Sequence, residues 1–154
     1  MRRYMMWVVL PWLLLTACGG DEESPSVTQT PLPPAINTQS PVFLRLQRNY
    51  EGLHDGLDAI SEIWESLATG EEVQCGQYPA SPSPESISAE GDPTYEALAE
   101  RLRSAAIDLD TAINLWEAEC KKTRAIPSLD VINQGLLAVG SAGDALREAE
   151  NLLQ

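Results

Sequence analysis

The sequence predicts an all-α protein, a three-helix bundle in which a long, proline-rich crossover joins the first helix to the second. Two observations carry this. Apolar residues recur at alternating spacings of three and four along three separate stretches, the period of a helix with one buried face. Each stretch also opens on Ser-Pro, Asp-Pro or Pro-Ser, the residue types that start helices.

The first helix is expected over 41–69. Ser40 is suited to cap it and Pro41 to occupy its first position, where a missing N–H costs nothing. Phe43, Leu46, Tyr50, Leu53, Leu57, Ile60, Trp64 and Leu67 form its apolar seam, and Thr69-Gly70 ends it, glycine being suited to the left-handed conformation beyond a helix. The second helix is expected over 93–122, opened by Asp92-Pro93. Tyr95, Leu98, Leu102, Ala105, Leu109, Ala112 and Trp116 face inward, with Ala106, Ile113 and Cys120 on the adjacent edge. Lys121, Lys122 and Arg124 sit where positive charge complements the exposed carbonyls of its C-terminus. The third helix, 128–153, is started by Pro127-Ser128 and turns Leu129, Ile132, Leu136, Val139, Leu146, Ala149 and Leu153 inward. Its small-sided middle, Gly135 to Ala145, suits close approach of a neighbouring helix, or a kink.

Ahead of the bundle lie two segments of different character. Arg2 and Arg3 give a basic start, Trp7 to Leu15 an apolar run too short to span a bilayer well, and Thr16-Ala17 the small residues that admit a peptidase before Cys18. Residues 18–40, rich in Ser, Thr and Pro, cannot bury enough apolar surface to order themselves and read as a tether, with a reach of roughly 25 Å as a coil. Leu15-Thr16-Ala17-Cys18 in this setting resembles the lipobox of bacterial lipoproteins. The resemblance covers the first eighteen residues. It implies cleavage after residue 17, diacylglyceryl modification of Cys18 and retention on the extracytoplasmic face of a cell membrane or outer membrane, and no activity.

The formal charge of the chain is −13, and removing residues 1–17, which carry Arg2 and Arg3 and no acid, makes it more negative still. Such a chain repels nucleic acid and anionic head groups, leaving cationic partners or simple solubility as the role of its charge.

With Cys18 assigned to lipid, Cys75 and Cys120 remain, an even pair in a compartment that oxidises thiols, and a disulfide between them is expected. That bond selects a topology. Cys75 lies five residues past Gly70, within about 17 Å of the end of the first helix. The second helix rises about 40 Å from Pro93 to Cys120, so an antiparallel hairpin would leave Cys120 at the far end. The first two helices must therefore run parallel, the segment 75–93 returning along the bundle, and the third must run antiparallel to both. Trp64 and Trp116 then meet at the disulfide end, positioned to shield it, and Tyr95 comes near Phe43 and Leu46.

No catalytic, cofactor or metal residues are expected. Glu51-Gly52-Leu53-His54 has the Glu-x-x-His spacing of di-iron bundles, but His54 is the single histidine of the chain and Glu51 falls on the outer face. Glu51, Asp55, Asp58, Glu62 and Glu65 form an acidic stripe opposite the seam, read as a solvated face. The expected function is a lipid-anchored, non-enzymatic protein-interaction module of the cell envelope. Its partners would be the membrane, through Cys18, and another envelope protein, a cationic one suiting its charge. The alternative is a small-ligand or cation receptor, using a pocket lined by Trp64 and Trp116 or the acidic stripe.

Overall fold

Ser40 accepts a hydrogen bond from the Val42 N–H at 3.3 Å, and Pro41 follows at the first helical position, so α1 (Pro41–Thr69) starts as its sequence dictates. A computed structural model describes residues 40–76, 78–122 and 127–154 of the chain. The leader, Cys18, the tether before Ser40 and Arg124 lie outside the described residues. Gly70 closes α1 with φ +83°, its N–H reaching back to the Leu67 carbonyl.

α2 (Glu96–Cys120) begins three residues later than its Asp92-Pro93 opening suggests. Asp92 is committed to a turn of its own. Its carboxylate accepts from Thr94 N–H at 2.9 Å and its carbonyl from Tyr95 N–H at 3.1 Å, so the helical ladder starts only with Ala99 N–H on the Tyr95 carbonyl. α3 (Leu129–Leu153) is capped by Ser128, whose hydroxyl accepts from Val131 N–H at 3.4 Å. It stays a continuous helix through Gly135, Gly140 and Gly143, with no interruption at its small-sided middle.

The three helices form one bundle, and α1 and α2 run parallel. Phe43 meets Tyr95 at the starts of the two helices, ring centroids 6.3 Å apart, and Trp64 meets Trp116 at their ends, also at 6.3 Å. Cys75 and Cys120 are joined, with Cα atoms 5.5 Å apart. α3 is antiparallel to both: Gly135, early in α3, packs on Trp64, late in α1, and Glu148, late in α3, pairs at 2.9 Å with Arg101, early in α2.

The return of the chain between α1 and α2 is a packed strap. Ala80 lies against Gly56, Pro82 against Gly52, and Glu90 pairs with Arg45 at 2.6 Å, so the segment descends α1 step by step. Gly52 and Gly56, one turn apart on α1, form the slot that receives it. A single 3-10 turn at Pro84–Ser86 lies along α2, and Ile87 and Ala89 enter the core.

All seven inward residues assigned to the second helix are buried, as are Phe43, Leu46, Leu53, Ile60 and Trp64 of the first. Leu129 departs from expectation. It is 71% exposed, because the buried face of α3 is set by Gly135, Ala142, Leu146 and Ala149, and Leu129, six residues before Gly135, falls about 120° round the helix from it.

Candidate functional site

The features that could carry function gather at the disulfide end of the bundle. Trp64 and Trp116 are fully buried in an edge-to-face arrangement, which satisfies the ring quadrupoles while filling the space between α1, α2 and α3. The Trp64 indole N–H donates to the Ala112 carbonyl at 3.3 Å, fixing its ring. The Trp116 indole N–H is buried without a hydrogen-bond partner among the described residues. Both rings are packing anchors, and no described cavity is lined by them. Nor do they enclose the disulfide: Cys120 is half-buried, but Cys75, beyond the end of α1, remains exposed.

One residue here escaped the sequence reading. Glu119, next to Cys120, is 4% exposed, a carboxylate turned inward on the face of α2 shared with Ala105 and Ala112 and held by the Lys122 ammonium. The spacing Glu119-x-x-Lys122 does favour such a pair, but spacing says nothing of burial. Lys121 is exposed and pairs at 2.9 Å with Glu117, which raises the Lys121 pKa above its ordinary value by hydrogen bonding and by charge.

A cavity of about 370 Å³ lies where the end of α1 meets the start of α3. Leu67, Val73, Pro127 and Ile132 give it apolar walls, and the exposed carboxylates Glu71 and Glu72 stand at it. Its size falls in the range of small-molecule sites.

The acidic stripe lies on the solvent side of α1: Glu51, Asp55, Asp58, Glu62 and Glu65 are all exposed. His54, also exposed, approaches Asp58 at 3.4 Å and stacks at a tilt near Tyr50. Glu51 instead accepts from Gln47 at 3.2 Å, so Glu51 and His54 do not converge on a common point. Among the described residues, no group of three or more His, Cys, Asp or Glu is arranged to hold a metal ion.

Titration is perturbed mainly along the bundle's flanks. Burial raises Asp108, and burial together with the nearby Glu85 carboxylate raises Asp110. Burial, reinforced by Glu150, raises the Tyr50 hydroxyl. The Ser83 hydroxyl and a backbone hydrogen bond lower Glu85.

Comparison with known protein families, with characterised proteins and with solved structures finds no match to this chain. Of the residues singled out from sequence, the structure brings together Cys75 with Cys120 and Trp64 with Trp116. No described helix is long and apolar enough to cross a membrane.

Proposed function

We propose that the chain is a lipid-anchored protein of the extracytoplasmic cell surface whose helical bundle acts as a non-enzymatic interaction module. The observation that carries this reading is the sequence Leu15-Thr16-Ala17-Cys18 behind a basic, apolar leader. The disulfide supports it, since Cys75–Cys120 is the pairing that suits a chain folded outside the reducing cytoplasm. Two or more acyl chains at Cys18 would hold the protein on a bilayer almost permanently, and the Ser/Thr/Pro-rich tether would set the bundle off its surface.

Mass measurement of the protein extracted from membranes tests this. The expected product begins at Cys18, carries a diacylglyceryl adduct and lacks the two hydrogens of a free Cys75 and Cys120 pair; Cys18→Ser should leave the leader attached and the adduct missing. An unmodified Cys18 in the native chain would overturn the anchor. Recovery of an envelope protein by crosslinking in intact membranes, lost on removal of the bundle, tests the module.

The cavity at the end of α1 favours a second reading, a receptor for a small cation with an apolar body, held by Leu67, Val73 and Ile132 with Glu71 and Glu72 countering its charge. Titration with small organic amines should then shift tryptophan fluorescence saturably at micromolar concentration, and calcium, which offers nothing to the apolar walls, should not. A flat response to the amines would discard it.

A further inference from the structure

One glycine of α3 has no employment in the fold. Gly135 makes room for Trp64, and a Cβ at Gly143 would touch Leu57 at 3.7 Å, but a Cβ at Gly140 would meet nothing within 4 Å. Glycine in mid-helix is destabilising relative to alanine, so an exposed one that serves no internal contact invites an external one. Three residues earlier stands Leu137, 71% exposed. The two belong to a stripe on the outward side of α3, Asp130, Asn133, Leu137, Gly140, Asp144 and Arg147, whose members are all exposed and alternate in spacing between three and four. Leu137 is the one large apolar side chain of this stripe, and the bare backbone of Gly140 lies next to it one turn on. Residues 131–143 carry no charge in a chain of net −13, whereas the outer face of α1 is acidic from Glu51 to Glu65.

We infer that this face docks a second copy of the chain, α3 against α3, antiparallel about a two-fold axis passing between Leu137 and Gly140. The register is self-complementary. Leu137 of each copy sits over the bare backbone at Gly140 of the other, Asn133 faces Asp144, and Asp130 faces Arg147. In an isologous pair each of these contacts occurs twice. A parallel pairing would set Asp130 on Asp130 and Arg147 on Arg147, and pairing through α1 would oppose two acidic stripes. Within one copy Arg147 already approaches Asp144 at 2.9 Å with both side chains 71% exposed, so the guanidinium is held on this face, open to a second carboxylate. Leu129, equally exposed, flanks the seam.

This inference supplies the interaction module with its partner and rests on that reading for its setting, but its contacts are those of α3 alone. The test is sedimentation equilibrium of the full chain, extracted in a density-matched detergent, over roughly three decades of concentration. A reversible dimer is expected. Asp130→Arg should weaken it by about tenfold, because each of two exposed attractions becomes a repulsion, and Asp130→Arg combined with Arg147→Asp should restore it. Gly140→Leu, whose side chain has open space in the single copy, should abolish the dimer while the monomer melts no lower than the native chain, since leucine favours the helix over glycine. A chain monomeric throughout, variants that all associate equally, or a double reversal that fails to restore the dimer would each overturn the inference. The Cys18 adduct is read separately by mass, so loss of the anchor and loss of the dimer are distinguishable.

Discussion

The indole of Trp64 occupies the place where a side chain at position 135 would begin: a Cβ on Gly135 would stand 2.3 Å from the ring atoms Cδ2 and Cε2. The ring has no freedom to retreat, being fully buried, bonded through Nε1 to Ala112 and packed edge-to-face on Trp116. Gly135→Ala should therefore cost about 1–3 kcal/mol by overpacking, even after the usual helical gain of alanine over glycine. Gly140→Ala, on the same helix with open space, should gain roughly 0.5–1 kcal/mol. Chemical denaturation of the two variants side by side reads the difference, and equal effects would show that Trp64 does not set the requirement.

Gly56 answers to the strap rather than to a ring. A Cβ there would stand 3.1 Å from the Ala80 carbonyl oxygen and 3.1 Å from the Leu109 methyl Cδ2. Leucine yields more readily than backbone, so Gly56→Ala should displace the strap near Ala80 and cost about 1 kcal/mol net. Faster amide exchange around residues 80–89, with α3 unchanged, is the expected signature. Unchanged exchange in that segment would remove Gly56 from its role.

Reduction of the disulfide should loosen the bundle from one end. The bond closes a segment of sequence separation 45, for which loop-closure entropy sets an upper bound of about 4 kcal/mol on its contribution. A loss of roughly 2–4 kcal/mol on adding reductant, or in Cys75→Ser with Cys120→Ser, is expected. Because Cys75 is exposed, reductant should reach the bond without prior unfolding. Reduction that proceeds only at the unfolding rate would contradict that access.

Stability should rise as the solution becomes mildly acidic. Asp108 and Asp110 titrate in the fold above their ordinary value of 3.8, because burial disfavours their charge and, for Asp110, Glu85 stands near. A raised carboxyl binds its proton more tightly folded than unfolded, so the stability it contributes is full below pH 3.8 and is lost as pH rises through its folded value. Glu85 runs in the opposite sense but is wholly exposed and carries little weight. Replacing Asp108 and Asp110 by Asn should flatten this part of the pH profile and stabilise the protein at neutral pH by about 0.5 kcal/mol. A profile that falls from neutral pH toward 4 in the native chain would refute the assignment.

Much of the bundle was legible because its signals are local and repeated. The seams of α1 and α2, the Ser40 cap and the Gly70 terminus can each be read from a few neighbouring residues. Topology was legible for a different reason: one covalent constraint, Cys75 to Cys120, is incompatible with the antiparallel arrangement. What escaped was encoded in absence. Gly52 and Gly56 leave no apolar mark in a periodicity count, so the slot for the strap was invisible, and with it the burial of Ile87 and Ala89. The late start of α2 escaped because an Asp-Pro pair opens a turn as readily as a helix. Glu119 escaped because a carboxylate on a core face reads as surface until its neighbours in space are known. Of the functional features, Cys18 rests on a motif, while the cavity beside Glu71 and the outer face of α3 depend on which residues the fold leaves uncovered.

The disulfide also decides how the bundle bears tension. A pull applied between the start of α1 and the end of α3 runs along α1, crosses from Cys75 to Cys120 and leaves through α3, and the chain between the two cysteines is bypassed. The bypassed segment, of sequence separation 45, is hidden length of roughly 150 Å that no force can pay out while the bond is intact. A chain held ahead of α1 and drawn out from the end of α3 would thus gain that length only once the bond is reduced, and would stop short of it while the bond is oxidised.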